Sequence, residues 1–132
     1  MVSQEVRDFV EQQSIVALGT VAKDGVPNVA PMYWKLWYDD SVFLILDNFM
    51  HNTKANVLAT GKASIAAWNS EAGRAYQLKG TAEYVTEGVY MDAGCRHMDS
   101  QKPGQRPKGV VAIRITDVYN QQPGEGAGKR VE

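Results

Sequence analysis

Cysteine and histidine are scarce in this chain, with one Cys and two His in 132 residues. Cys95 alone cannot close an internal disulfide or anchor a multi-cysteine metal site, and its place on an apolar helical stripe reads as a small buried hydrophobe. His51 and His97 stand far apart with no Cys-x-x-Cys or acidic cluster beside either, which is not ordinary metal-ligand spacing. An excess of charge is missing too: 14 Lys and Arg face 15 Asp and Glu, for a net charge of −1. No overall field therefore draws the chain to nucleic acid or to an anionic membrane. No apolar run approaches the roughly 20 residues of a membrane helix, and the opening "MVSQEVRDFVEQQ" carries acids, unlike a signal peptide. The expectation is one soluble, cytoplasmic domain over residues 1–132, without a membrane or nucleic-acid partner. The common nucleotide and hydrolase signatures, GxGxxG, the P-loop, GxSxG and HExxH, are absent as well.

What is there is an ordinary globular composition, 44% hydrophobic and 22% charged, patterned mostly as strands. Val2, Val6, Phe9 and Val10 recur at helical spacing behind Ser3, so residues 3–13 predict a short helix with Ser3 as N-cap. "SIVALGTV" reads as a strand, followed by a turn at Asp24-Gly25. "VAPMYWKLWYDDSVFLILD" reads as two long strands joined near Asp39-Asp40, with Pro31 pointing to an edge or a bulge. "NTKANVLATG" predicts a helix stopped by Gly61. "KASIAAWN" and "AYQLKGTAEYVT" predict two strands, with a bulge at Gly80, and "EGVYMDAGCRHMD" a helix. "VVAIRITDVYN" closes the pattern as an alternating strand, and residues 121–132 read as a tail, flexible or partner-bound. Connections this short favour antiparallel pairing, hence a barrel of about six strands with peripheral helices over a doubly wound sheet.

Three stretches carry candidate chemistry. In "NFMHNTKAN" the first N–H groups of the expected helix lack intrahelical partners and favour an anion. Asn52, Thr53 and Lys54 add an amide, a hydroxyl and a mobile cation suited to a phosphate monoester. A plain cap by Asn52 or Thr53 explains the same residues, and spacing alone favours that cap. In "PMYWKLWY" alternation places Tyr33 and Trp37 on one face and Trp34 and Tyr38 on the other. One face can enter the core, while the second asks for a partner subunit, a flat ligand or exposure. In "RAYQLKGTAEY" Arg74, Gln77 and Lys79 offer two cations and an amide, which also suit a polar outer face.

Taken together, the order and spacing of "SIVALGTVAKDGVPNVAPM", "VFLILDNFMHNTKANV", "YQLKGTAEYV" and "VVAIRITDVYNQQPG" resemble the pyridoxamine 5′-phosphate oxidase-like family of FMN-binding split barrels, its short members in particular. The resemblance implies a mainly β fold, a six-stranded antiparallel Greek-key split barrel with two or three short peripheral helices. It also implies a homodimer with FMN near the interface, exchanging hydride or electrons with a small-molecule redox partner or an electron-transfer protein. By the same resemblance Pro31, Met32, Tyr33, Trp34 and Lys35 line the flavin. Asn48, Phe49, Met50, His51, Asn52 and Thr53, with Lys54 adjacent, hold its phosphate and ribityl chain. Arg74 resembles an arginine at the flavin edge, although Ala75 replaces the glutamine that follows there. One departure concerns charge: many relatives carry Arg or Lys where this chain has Asn52. The missing charge-assisted bond is worth roughly 1.5–3 kcal/mol, to be made up by Lys54, Lys79, Arg74 or a cation of a second subunit. The alternatives are a split barrel holding a deazaflavin or haem, and a non-catalytic flavin-binding or storage protein.

Overall fold

The computed structural model describes all 132 residues. Three helices, α1 (Gln4–Gln12), α2 (Asn52–Thr60) and α3 (Val89–Gln101), surround seven strands. The strands are β1 (Val16–Val21), β2 (Pro27–Met32), β3 (Lys35–Trp37), β4 (Val42–Asp47), β5 (Lys62–Asn69), β6 (Arg74–Val85) and β7 (Gly109–Asn120). They form one antiparallel sheet in the order β2-β1-β5-β6-β7-β4-β3. The two edges are consecutive in the chain, with only Tyr33 and Trp34 between them. Three Cα–Cα steps span at most about 11 Å, so the sheet must curl until its edges nearly meet, and no ladder zips them together. That is a split barrel.

The seventh strand arises because the aromatic stretch, expected as one strand, breaks at Tyr33-Trp34. Its first half pairs with β1 and its second with β4. Pro27 and Pro31 both fall on β2, which is an edge strand, as Pro31 suggested. The turn at Asp24-Gly25 closes the β1–β2 hairpin, with Gly25 at φ 89°, and Gly61 at φ 65° ends α2. Gly80 marks a register shift against β7, where a Cβ would collide with the Arg114 carbonyl.

Period-two alternation divides the core in two. Phe43 and Ile45 of β4 face the barrel interior with Leu18, Ile65, Leu78 and Ile113, and α1 plugs that interior with Val6, Phe9 and Val10. Val42, Leu44 and Leu46 face outward and are covered by Met91, Ala93 and Met98 of α3. β4 is consequently buried at all six positions, each large apolar side chain contributing roughly 1.5–3 kcal/mol. α3 can sit this close because Gly94 meets the sheet: a Cβ there would lie 2.7 Å from Val110 Cγ2.

The second aromatic face also finds its cover in α3. Trp34 packs edge-on to His97 and Tyr38 edge-on to Tyr90, with centroids 6.1 and 4.9 Å apart. Trp37 turns inward against Phe43 and donates from Nε1 to the Arg7 carbonyl at 3.2 Å. The aromatic stretch thus argues less strongly for a second subunit, although Tyr33 remains 63% and Tyr38 40% exposed. Residues 121–132, expected as a tail, bend back along β7: Val131 N–H donates to the Val118 carbonyl at 2.8 Å, and Arg130 pairs with Asp117 at 2.9 Å.

Candidate functional site

A cleft of about 540 Å³ opens where the barrel edges approach, within the usual size of small-ligand sites. One wall is β2 and the link after it: Asn28, Ala30, Pro31, Met32, Tyr33 and Trp34. The other is the end of β4, its turn and the start of α2: Leu46, Asn48, Phe49, Met50, His51, Asn52 and Thr53. Ten of the thirteen candidates read from the sequence thus share one cavity. Phe49 stands 94% exposed at its rim.

The start of α2 is an uncapped one. His51 occupies the N-cap position with φ −129° and ψ −75° and makes no side-chain cap bond. The cap expected at Asn52 or Thr53 is therefore not formed, because both already lie inside the first turn. The earliest intrahelical bond runs from Ala55 N–H to the His51 carbonyl at 3.1 Å, leaving the N–H groups of Asn52, Thr53 and Lys54 without intrahelical partners. No acid occupies this turn, so the partial positive charge of the helix start is not neutralised locally.

Two sets of hydrogen bonds fix the walls. On the hairpin side, Asn28 Nδ2 donates to Thr53 Oγ1 at 3.3 Å, Asn56 Nδ2 to Thr20 Oγ1 at 3.1 Å, and Thr60 Oγ1 to the Val21 carbonyl at 2.9 Å. Under the turn sits Asp47, only 2% exposed. Its Oδ1 accepts Met50 N–H at 2.8 Å and its Oδ2 accepts the Tyr84 hydroxyl at 2.5 Å. Burial, followed by that bond and the Asp47 charge, raises the Tyr84 pKa well above the ordinary phenol value. Gly109 makes room for the pair, since a Cβ there would run into the Tyr84 hydroxyl.

Three candidates lie outside the cleft. Lys35 begins β3 opposite Ile45; burial lowers its pKa, and the nearby Glu11 opposes that shift. Lys54 is on the first turn of α2, but its ammonium lies 4.7 Å from the centre of the Tyr84 ring, an attraction of the cation–π kind. Arg74 starts β6 beside α1, where it pairs with Glu5 at 3.3 Å and stacks 4.6 Å from the Phe9 ring centre. Lys79, offered as a compensating cation, rests 4.7 Å from the Tyr119 ring centre. No Lys or Arg lines the cavity. Conversely, Asn28, Ala30 and Leu46 line it without having been singled out, and neither Asp47 nor Tyr84 was foreseen as support. Alternation along β2 places 28, 30 and 32 on one face, which was the available signal for the first two.

Fold and site together define a split barrel with a cleft at its seam and a helix start opening into it. Residues 2–122 match the family model described as pyridoxamine 5′-phosphate oxidase, and the chain belongs to that family. An uncharacterized protein of Methanocaldococcus jannaschii is 41% identical over 122 residues, 91% of this chain and 81% of that one. The structure of HupZ from Group A Streptococcus superimposes with a TM-score of 0.84 at 33% identity, covering 97% of this chain and 100% of its own. An FMN-binding protein of Syntrophomonas wolfei shares the fold at a TM-score of 0.76 and 17% identity, over 90% and 85% of the two chains.

Proposed function

We propose that this chain binds FMN in the cleft and serves as a flavin-dependent redox protein. The observation that carries the proposal is the convergence of a largely apolar wall, Ala30, Pro31, Met32 and Trp34, with three partnerless N–H groups at the start of α2. The donor set suits a phosphate: backbone N–H groups, the Thr53 hydroxyl and the Asn52 amide, all neutral, with the helix dipole supplying the positive end. Met32, Tyr33 and Trp34 offer apolar surface for the ring system and exclude water from it. Bound FMN would supply the hydride or electron exchange, with the chain contributing binding and orientation. His51 is the only imidazole among the lining residues, and the proposed chemistry needs no proton transfer from it. A second copy of the chain, and a small redox molecule or carrier protein as partner, belong to the same proposal.

The test is a spectroscopic titration of the purified protein with FMN, riboflavin and a deazaflavin, together with light scattering. The expected result is an FMN complex in a dimer that binds riboflavin at least about tenfold more weakly, the loss of one or more charge-assisted bonds. Thr53→Ala should narrow that gap. Equal affinity for FMN and riboflavin, or preference for the deazaflavin, would overturn the proposal. Flavin binding without turnover by any reductant would leave a storage protein in place of the redox one.

A further inference from the structure

Four polar residues clasp α2 to the hairpin in a reciprocal arrangement. Thr20 and Asn28 are direct cross-strand partners on β1 and β2. Thr53 and Asn56 stand three apart on α2, and therefore on one face of it. The strand asparagine donates to the helix threonine, and the helix asparagine donates to the strand threonine, at 3.3 and 3.1 Å. Thr20, Thr53 and Asn56 are all buried. The two halves nevertheless differ in one respect: Thr53 and Asn28 line the cleft, and Thr20 and Asn56 do not.

A hydroxyl has one proton to donate and two lone pairs with which to accept. Thr53 Oγ1 accepts from Asn28 and donates to no group of the chain. Asn28 therefore occupies an acceptor site of Thr53 and leaves its proton for an acceptor in the cavity. An anionic phosphate oxygen is the strongest such acceptor, whereas the hydroxyl of an unphosphorylated ligand takes the same proton only in a neutral bond of roughly half the strength.

We propose that Asn28 is a positioning residue which sets Thr53 as a hydrogen-bond donor into the cleft, and so fixes the preference of the site for a phosphorylated ligand over its unphosphorylated counterpart. This inference rests on the FMN reading. The residue acts through Thr53, so it should affect the two ligands unequally.

The experiment measures the ratio of FMN to riboflavin affinity in the full chain and in Asn28→Ala, Asn28→Asp, Thr53→Val and the Asn28→Ala/Thr53→Val double variant. In Asn28→Ala the ratio should fall about tenfold, one charge-assisted bond, FMN being weakened more than riboflavin. In Asn28→Asp the carboxylate becomes an acceptor that takes the Thr53 proton, so the ratio should fall further at neutral pH. It should recover as the pH drops towards about 4, the ordinary range of an aspartate. Once Thr53 has no hydroxyl, Asn28→Ala should lower the ratio no more. Equal weakening of both ligands, an additive double variant or a pH-independent Asn28→Asp ratio would overturn the inference. A wild-type protein that does not prefer FMN would instead overturn the reading beneath it. Asn28 sits on a half-exposed edge strand, where either substitution can be housed, and if one variant fails to fold the other carries the test.

Discussion

Replacing Tyr84 by Phe removes a single oxygen and tests the foundation of the cleft. The Tyr84 hydroxyl is one of two donors that Asp47 receives on its side chain, and Asp47 is almost entirely buried. A hydrogen bond to a charged group contributes about 1.5–3 kcal/mol, and an orphaned buried acceptor costs about 1–3 kcal/mol. Tyr84 itself is only half-buried, so water can replace part of the bond, and a loss of about 1–2 kcal/mol is expected. Urea unfolding at neutral pH reads this as a lower midpoint with an unchanged slope. The pH dependence gives a second arm. The folded-state pKa of Tyr84 is raised, so the folded chain keeps a proton that the unfolded chain releases above about 10. The stabilisation is complete below that pH and declines as the pH rises beyond it, by up to about 1.4 kcal/mol per unit. The gap between wild type and Tyr84→Phe should therefore close in alkali. A Phe variant as stable as wild type, or a gap constant from neutral pH to strong alkali, would refute the role given to this pair.

His97, packed against Trp34, has its pKa lowered by burial first, with Glu11 opposing and Lys35 assisting. The unfolded chain then binds a proton near about 6.5 that the folded chain resists, so stability should fall as the pH drops through and below that value. His97→Gln should flatten this acid limb in thermal melts scanned over pH, and an unaltered limb would count against it. Asn52→Lys places a cation on the otherwise uncharged first position of α2, and FMN should bind about tenfold more tightly, with riboflavin unchanged. No gain for FMN in a parallel titration would mean that the phosphate does not lie at this helix start.

The sheet was legible because its signals are local. Asp24-Gly25, Gly61 and Gly80 each mark a backbone conformation or close approach that few other residues permit, and alternation gave the strand faces. The break at Tyr33-Trp34 was not legible, since both residues suit a strand and the interruption follows from the global demand that one segment serve both edges. Asn52 and Thr53 were readable because a strand followed by a helix start has a fixed physical meaning, whereas residues 48 to 51 came only with the family resemblance. The positions of Lys35, Lys54 and Arg74 were not, because long cationic side chains follow their local partners. Tyr84 attracts Lys54, Phe9 and Glu5 hold Arg74, and these neighbours become visible only after the chain has folded.

The two prolines of β2 have a meaning for the seam itself. The Val26 carbonyl accepts from the N–H of Ala22, the residue just after β1, so alternation turns the backbone groups of 27, 29 and 31 away from β1. Two of those three positions are Pro27 and Pro31, which have no N–H to offer, and Val29 alone remains a donor. An edge so poor in donors cannot zip onto β3 across the gap, nor readily recruit a strand from another molecule. The same two rings thus keep the barrel from sealing over its own cleft and protect the open edge from aggregation.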